Sequence, residues 1–169
     1  MAPGAGTAGH RGAPGVDQVA TVDQAAAVDQ VATVDQVATV DQVATVEGVV
    51  REVFAAFQRH DSARIEELQA DTCTVWDVFT PDLVVGREEL RRFHAADQEQ
   101  STSRGPLELS LGDFVTDVYG DVAVVRYLVH FSYAPPNAVS GTVRTTDVLR
   151  RVGGGWVMVH HHEGLMPTP

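Results

Sequence analysis

The stretch from Leu107 to Gly164 constrains the fold most, because it is a series of strand-length runs rich in β-branched and aromatic residues, separated by turn-forming segments. Leu107 to Val118, Val122 to Tyr133 and Val139 to Val152 are joined by Tyr119-Gly120-Asp121 and Ala134-Pro135-Pro136-Asn137. Gly153-Gly154-Gly155 then leads into a last strand carrying Trp156 to Glu163. Connections this short leave no room for a crossover, so consecutive strands pair antiparallel. A four-stranded meander is expected.

Upstream the apolar period changes. Val46, Val49, Val50, Val53, Phe54 and Phe57 fall at helical spacing, with Glu47, Arg51, Glu52 and Arg59 elsewhere on the wheel. His60-Asp61-Ser62 breaks that helix, and Ser62 is placed to cap a second, Ala63 to Gln69, with Ile65 and Leu68 inward. Thr72 to Phe79 reads as a strand stopped by Thr80-Pro81-Asp82, and Gly86 to His94 as a third helix with Leu90 and Phe93 on one side. Three helices with one strand among them, followed by the meander, predict an α+β domain.

The domain is expected over 46–169. Residues 1–15 are mainly Gly, Ala and Pro, a composition that cannot bury enough apolar surface to order itself, and a disordered tail is expected there. Residues 16–45 are five copies of a hexad based on Val-Asp-Gln-Val-Ala-Thr. Valine every third residue advances about 300° on a helix, so no single apolar stripe results. Each Thr-Val-Asp-Gln nevertheless matches a capping box, from which a helix can begin at Thr33 or Thr39. The arm is read as a spacer or helical extension without chemistry.

Composition excludes several classes of function. A formal charge of −11 argues against a nucleic-acid partner, which needs a basic footprint. No apolar run approaches the roughly 18 residues of a membrane span, and the N-terminus lacks the pattern of a secretory signal. One cysteine, Cys73, rules out an internal disulfide and fits a reducing compartment, so a cytoplasmic protein is expected.

The last strand holds the most chemistry: Trp156-Val157-Met158-Val159-His160-His161-His162-Glu163. Strict alternation places Trp156, Met158, His160 and His162 on one side and Val157, Val159, His161 and Glu163 on the other. If the first set faces inward, His160 and His162 are buried imidazoles, and zinc would need a third ligand such as His94 or Asp77. Structural or interface histidines are the commoner outcome, and no metal is expected.

Taken together, Trp76-Asp77-Val78-Phe79-Thr80-Pro81, Val85-Gly86-Arg87-Glu88-Glu89-Leu90-Arg91, Gly120-Asp121-Val122-Ala123-Val124, Arg144-Thr145-Thr146-Asp147-Val148, Gly154-Gly155-Trp156 and His160-His161-His162 resemble the SnoaL-like group of the nuclear transport factor two-like superfamily. The branch most similar is that of the ketosteroid-isomerase homologues of SgcJ/EcaC type, with an echo of the association domain of calcium/calmodulin-dependent kinase II. The resemblance spans about residues 46 to 167. It implies a curved antiparallel sheet wrapped around three N-terminal helices, a pocket at the open end of the cone, and homodimers through the convex sheet face. It further implies a hydrophobic small-molecule ligand and either cofactor-independent cyclisation or isomerisation in secondary metabolism, or a non-catalytic binding or accessory role. Gly164 departs from the serine that often ends such a strand. Asp147 and Glu163 stand where the kinase domain carries pocket arginines, which argues against its kind of anionic ligand.

If His161 and Glu163 face such a pocket, Asp147 and Tyr127 join them from neighbouring strands. A carboxylate among apolar residues can act as a base near neutral pH, a histidine can orient or relay the proton, and a tyrosine hydroxyl can stabilise an enolate. The alternative is that Asp147 and Glu163 pair structurally with Arg144 or Arg126. Trp76 and Phe79 are candidate aromatic walls. Asp77 is a second candidate acid or base, or else a turn cap, and His94 either closes the pocket or lies on its helix surface.

Overall fold

The structure, a computed structural model, describes residues 38–101 and 103–167. The expected tail over 1–15 and the repeat arm as far as residue 37 lie outside the described residues. Helix α1 (Val40–Gln58) begins within the last repeat copy, six residues before Val46. The capping box explains the early start: Thr39 Oγ1 accepts the Gln42 N–H at 3.2 Å, and Gln42 Oε1 accepts the Thr39 N–H at 3.0 Å. Two groups that a helix start leaves open are thus satisfied by repeat residues. Val43, Val46, Val50 and Phe54 then share the face that packs on the sheet.

Helix α2 (Ser62–Leu68) is capped by Asp61 rather than Ser62, since Asp61 Oδ1 accepts the Arg64 N–H at 3.1 Å. It leads directly into β1 (Gln69–Trp76), which starts earlier than expected, and a short strand β2 (Val84–Val85) precedes α3 (Gly86–Ser101). Helix α3 continues past His94 because nothing breaks it before Gly105-Pro106. Arg91 and Arg87 clip α3 to Glu66 on α2 at 2.8 and 3.1 Å.

The meander forms as expected: β3 (Leu107–Tyr119), β4 (Val122–Tyr133), β5 (Val139–Val152) and β6 (Gly155–Leu165) pair antiparallel in succession. Strand β1 adds to the other edge of β6 in parallel, giving the order β2-β1-β6-β5-β4-β3. The result is a curved, open, mostly antiparallel sheet packed on three helices. No helix among the described residues is long and apolar enough to cross a membrane.

One irregularity decides what faces the interior. Met158 opposes Leu149 while His160 opposes the adjacent Val148, so Val159 is an extra residue in β6. A bulge of one residue reverses the alternation beyond it. Trp156 and Met158, 5% and 0% exposed, therefore share the concave face with His161 and Glu163 rather than with His160 and His162. The expected assignment of the two sets to opposite sides is corrected accordingly.

The core lies between this face and α1. It includes Val46 and Val50 from the helix, Ala123, Val125, Tyr127 and Val129 from β4, and Val143 and Leu149 from β5. Burying each large aliphatic chain contributes about 1.5–3 kcal/mol, so a charge at Val50 would remove that contribution and add the cost of a buried ion.

Candidate functional site

A cavity of about 210 Å³ opens between the helices and the concave face of the sheet. Its walls are mainly apolar, with Phe54 and Phe57 from α1, Leu109, Val129 and Phe131 from the sheet, and Met158 below the bulge. Five ionisable side chains on the walls bear most on its chemistry: His161 and Glu163 from β6, Asp77 just past β1, and His94 and Asp97 from α3.

His161 is the end of a hydrogen-bonded chain rising from the core. Tyr127 donates its hydroxyl to Asp147 Oδ2 at 2.7 Å, and Asp147 Oδ1 lies 2.7 Å from His161 Nδ1. His161 Nε2 is 3.4 Å from Glu163 Oε1. The sheet sets this geometry, since Asp147 and His161 are cross-strand partners and inward residues on neighbouring strands meet side by side.

Electrostatics fixes the protons on this chain. Burial alone would lower the affinity of His161 for its proton, but the carboxylates of Asp147 and Glu163 outweigh it and raise the imidazolium to about 10. His161 is therefore a cation at neutral pH, with N–H groups directed at both carboxylates. Tyr127 is pushed well above its ordinary value by burial and by Asp147, so it stays a phenol and a donor. Tyr127 also stacks on Phe114 at 4.9 Å and meets the edge of Phe54 at 6.0 Å.

Asp147 is 0% exposed and sits behind the wall, as Tyr127 does, so neither reaches a molecule in the cavity. They position His161. The alternative pairings with arginine are not made: Arg126 pairs with Asp117, and Arg144 donates to the Leu165 carbonyl at 3.2 Å.

Asp77 has both features expected of it. Its Oδ1 accepts the Phe79 N–H at 2.7 Å, which is the turn bond, and the residue also lines the cavity. Burial raises its pKa, with a further push from Glu163, so its carboxyl holds a proton more readily than an ordinary aspartate. Phe79, 65% exposed, sits at the rim with its edge on Phe131 at 6.0 Å. Trp76 does not join it. Its indole alternates to the other side of β1 from the buried Val75 and is 43% exposed, so the expected second aromatic wall is absent there.

His94 does reach the cavity rather than the helix surface. Burial lowers its pKa, leaving it a neutral imidazole near pH 7. His160 bonds Thr74 Oγ1 through Nδ1 at 2.7 Å, and the His160 and His162 rings lie 6.3 Å apart. Among the described residues no group of three or more histidine, cysteine or carboxylate side chains is arranged to hold a metal.

Residues 46–169 match the family model of the SnoaL-like domain. The chain belongs to the SnoaL-like family. No curated protein matches it in sequence. Among solved structures it is similar to a proposed dehydratase of the nuclear transport factor two-like family from Streptomyces avermitilis, at 22% identity and a TM-score of 0.66 over 75% of this chain and 97% of that one. It is also similar to a proposed ketosteroid isomerase from Shewanella frigidimarina, at 18% identity and a TM-score of 0.60 over 69% and 92%. The association domain of the calcium/calmodulin-dependent kinase II of Caenorhabditis elegans matches at 20% identity and a TM-score of 0.58 over 70% and 92%. The SnoaL-like chain thus has the nuclear transport factor two-like cone, a fold compatible with small-molecule binding or isomerase-type chemistry.

This SnoaL-like cavity has a polar edge that the sequence reading missed. Arg104 donates to Asp97 at 3.0 Å and to the Tyr133 hydroxyl at 3.2 Å, and its guanidinium lies 5.3 Å from the Tyr133 ring centre. The available signal was His94, Asp97 and Gln100 at three-residue spacing, which places them near one another along a helix continued past His94.

Proposed function

We propose that this domain takes a small hydrophobic molecule into its cone and moves a proton on it, as an isomerase or aldol-type cyclase without metal or cofactor. The substrate class we assign is polyketide-like, within cytoplasmic secondary metabolism. The observation that carries the reading is a buried charged chain, Tyr127 to Glu163, ending on a mainly apolar cavity that Asp77 also lines. Titratable groups gathered on the wall of a mainly apolar cavity are the usual sign of a site for proton transfer. Asp77, whose pKa burial raises, hydrogen-bonds the substrate carbonyl through its protonated carboxyl and gives up that proton as the enol forms. Glu163 takes the proton from the carbon alpha to that carbonyl. His161 stays cationic, orients Glu163 and offsets developing negative charge, while Asp147 and Tyr127 hold His161 in place.

Size narrows the substrate. An apolar cavity of about 150 Å³ accepts benzene, so about 210 Å³ accepts one substituted ring, with the rest of a longer molecule leaving past Phe79. The test uses 2-tetralone, a small ketone with exchangeable alpha protons, incubated with the full chain in D₂O and followed by NMR. The protein should accelerate exchange over buffer, and Asp77→Asn and Glu163→Gln should each remove ~100-fold of that acceleration. Exchange no faster than in buffer, or unchanged in both variants, would sink the reading.

One observation favours a second reading. His161 meets a carboxylate on each nitrogen, so Glu163 is held in an ion pair rather than left free to take a proton from a ligand. A non-catalytic binding or accessory domain would have this arrangement, and 2-tetralone bound without exchange would support it. For the convex face, where Trp76, His160 and His162 lie, we propose a homodimer contact. Sedimentation should give twice the monomer mass, and a monomer at every concentration would overturn that assignment.

A further inference from the structure

Two histidines line the cavity, and protein partners account for only one. His94 packs against Phe93 and Phe57 at ring distances of 5.3 and 6.4 Å, and both its ring nitrogens are shielded and find no hydrogen-bond partner among the described residues. Unpaired buried polar atoms cost stability and are rare for that reason, so such a pair calls for an explanation. A second void of about 10 Å³, which His94 lines together with His60, Ser62 and Gln98, has room for about one water. That water can serve one nitrogen. The main cavity, which His94 also lines, remains for the other.

The charges around the cavity restrict what can occupy it. Its two cations are already engaged, His161 with Asp147 and Glu163, and Arg104 with Asp97 and the Tyr133 hydroxyl. His94, kept neutral by burial, adds no third. An anionic ligand would meet the carboxylates of Asp97 and Glu163 without an unpaired cation to offset them, and carrying its charge into a mainly apolar cavity is costly. A hydroxyl has no such cost and can donate to the free imidazole nitrogen.

We propose that His94 is the ligand-recognising residue of this cavity, accepting a hydrogen bond from a hydroxyl on a neutral, ring-sized molecule, and that the cavity rejects the carboxylate analogue of the same ring. The proposal rests on the small-molecule part of the function proposed above and not on its proton-transfer step. Recognition by a buried polar group discriminates strongly because the analogue without the hydroxyl leaves that group unpaired.

Three probes of one ring system provide the test: 2-naphthol, naphthalene and 2-naphthoate, titrated into the full chain near neutral pH and followed by calorimetry. 2-Naphthol should bind ~10-fold more tightly than either of the others. His94→Phe should abolish its advantage over naphthalene. In wild-type protein with ¹⁵N-labelled histidine, 2-naphthol and not naphthalene should shift a His94 ring nitrogen, a readout that does not depend on the variant folding. Equal binding of 2-naphthol and naphthalene, or a preference that survives His94→Phe, would overturn the role of His94 while leaving the pocket intact. Binding of 2-naphthoate as tight as that of 2-naphthol would overturn the selection for neutral ligands. If none of the three binds, both this inference and the pocket reading beneath it fall, whereas failure of 2-tetralone exchange alone would leave this inference standing.

Discussion

His161 and His94 line one cavity, one from the sheet and one from the helix layer, and their environments drive them to opposite protonation states. Both lose hydration. His161 gains two carboxylates at 2.7 and 3.4 Å and is raised to about 10, while His94 gains no hydrogen-bond partner and is lowered by burial. Identical side chains, both withdrawn from solvent, thus become a fixed cation and a neutral acceptor, and the difference comes from what the neighbouring strands supply. Burial alone did not decide it. Partners did.

The largest expected effect comes from removing the partner that sets the contrast. Asp147→Asn keeps the shape of a fully buried side chain but takes away the charge opposite His161, and breaking a buried pair in this way typically costs about 3–5 kcal/mol. Urea denaturation should give a midpoint lowered to match. An unchanged midpoint would mean that Asp147 and His161 are not a charged pair.

The same contrast predicts two limbs of pH dependence. For His161 the folded value lies above the unfolded value of about 6.5. Its stabilising contribution is therefore complete below about pH 6.5 and is lost as pH rises toward about 10. His94 has the opposite sign. Its folded value is lowered, so unfolding takes up a proton as pH falls below about 6.5, and stability declines on the acid side. His161→Gln should flatten the alkaline limb and His94→Phe the acid one, measured by melting temperature across pH. A variant that flattened the wrong limb would reverse the assignment of the two histidines.

A smaller loss is expected from Tyr127→Phe, which deletes one hydrogen bond to a charged group and leaves the ring stacked on Phe114. The cost is about 1.5–3 kcal/mol in chemical denaturation. A loss below ~0.5 kcal/mol would show that Asp147 does not depend on the phenol.

Much of this comparison was legible in the sequence because it rests on strand pairing. The four-strand meander with its turns predicted that Asp147, His161 and Tyr127 would lie on adjacent strands, and β4 and β5 ran over the residues read for them. What alternation could not supply was the extra residue at Val159. A bulge leaves no compositional mark in a run of valine, methionine and histidine, yet it moves His161 and Glu163 from the side opposite Trp156 to the same side. Trp76 was misplaced for a related reason, because a bulky aromatic at a strand end reads as a wall until the register fixes its side. The helix side of the cavity was largely hidden. The third helix expected from sequence ends at His94, and Asp97 and Gln100 become a pocket edge because α3 continues through them. His94 showed the ambiguity in its sharpest form, since spacing alone allowed both the surface and the cavity.

The smallest effect sharpens the comparison from the other direction. Thr145 is the cross-strand partner of both Tyr127 and Glu163, is 2% exposed, and its Oγ1 finds no hydrogen-bond partner among the described residues. It therefore lies beside the Tyr127–Glu163 chain without joining it. If partners rather than polarity stabilise this region, an unpartnered hydroxyl contributes nothing and costs its desolvation. Thr145→Val, which keeps the branched shape, should then leave stability unchanged or raise it by up to ~1 kcal/mol. The alkaline limb assigned to His161 should not move, because Thr145 makes no bond in that chain. A loss of more than ~1 kcal/mol, or a shifted alkaline limb, would mean that the hydroxyl is coupled to Glu163 through a water, and the polar chain would then extend one residue further behind the cavity wall.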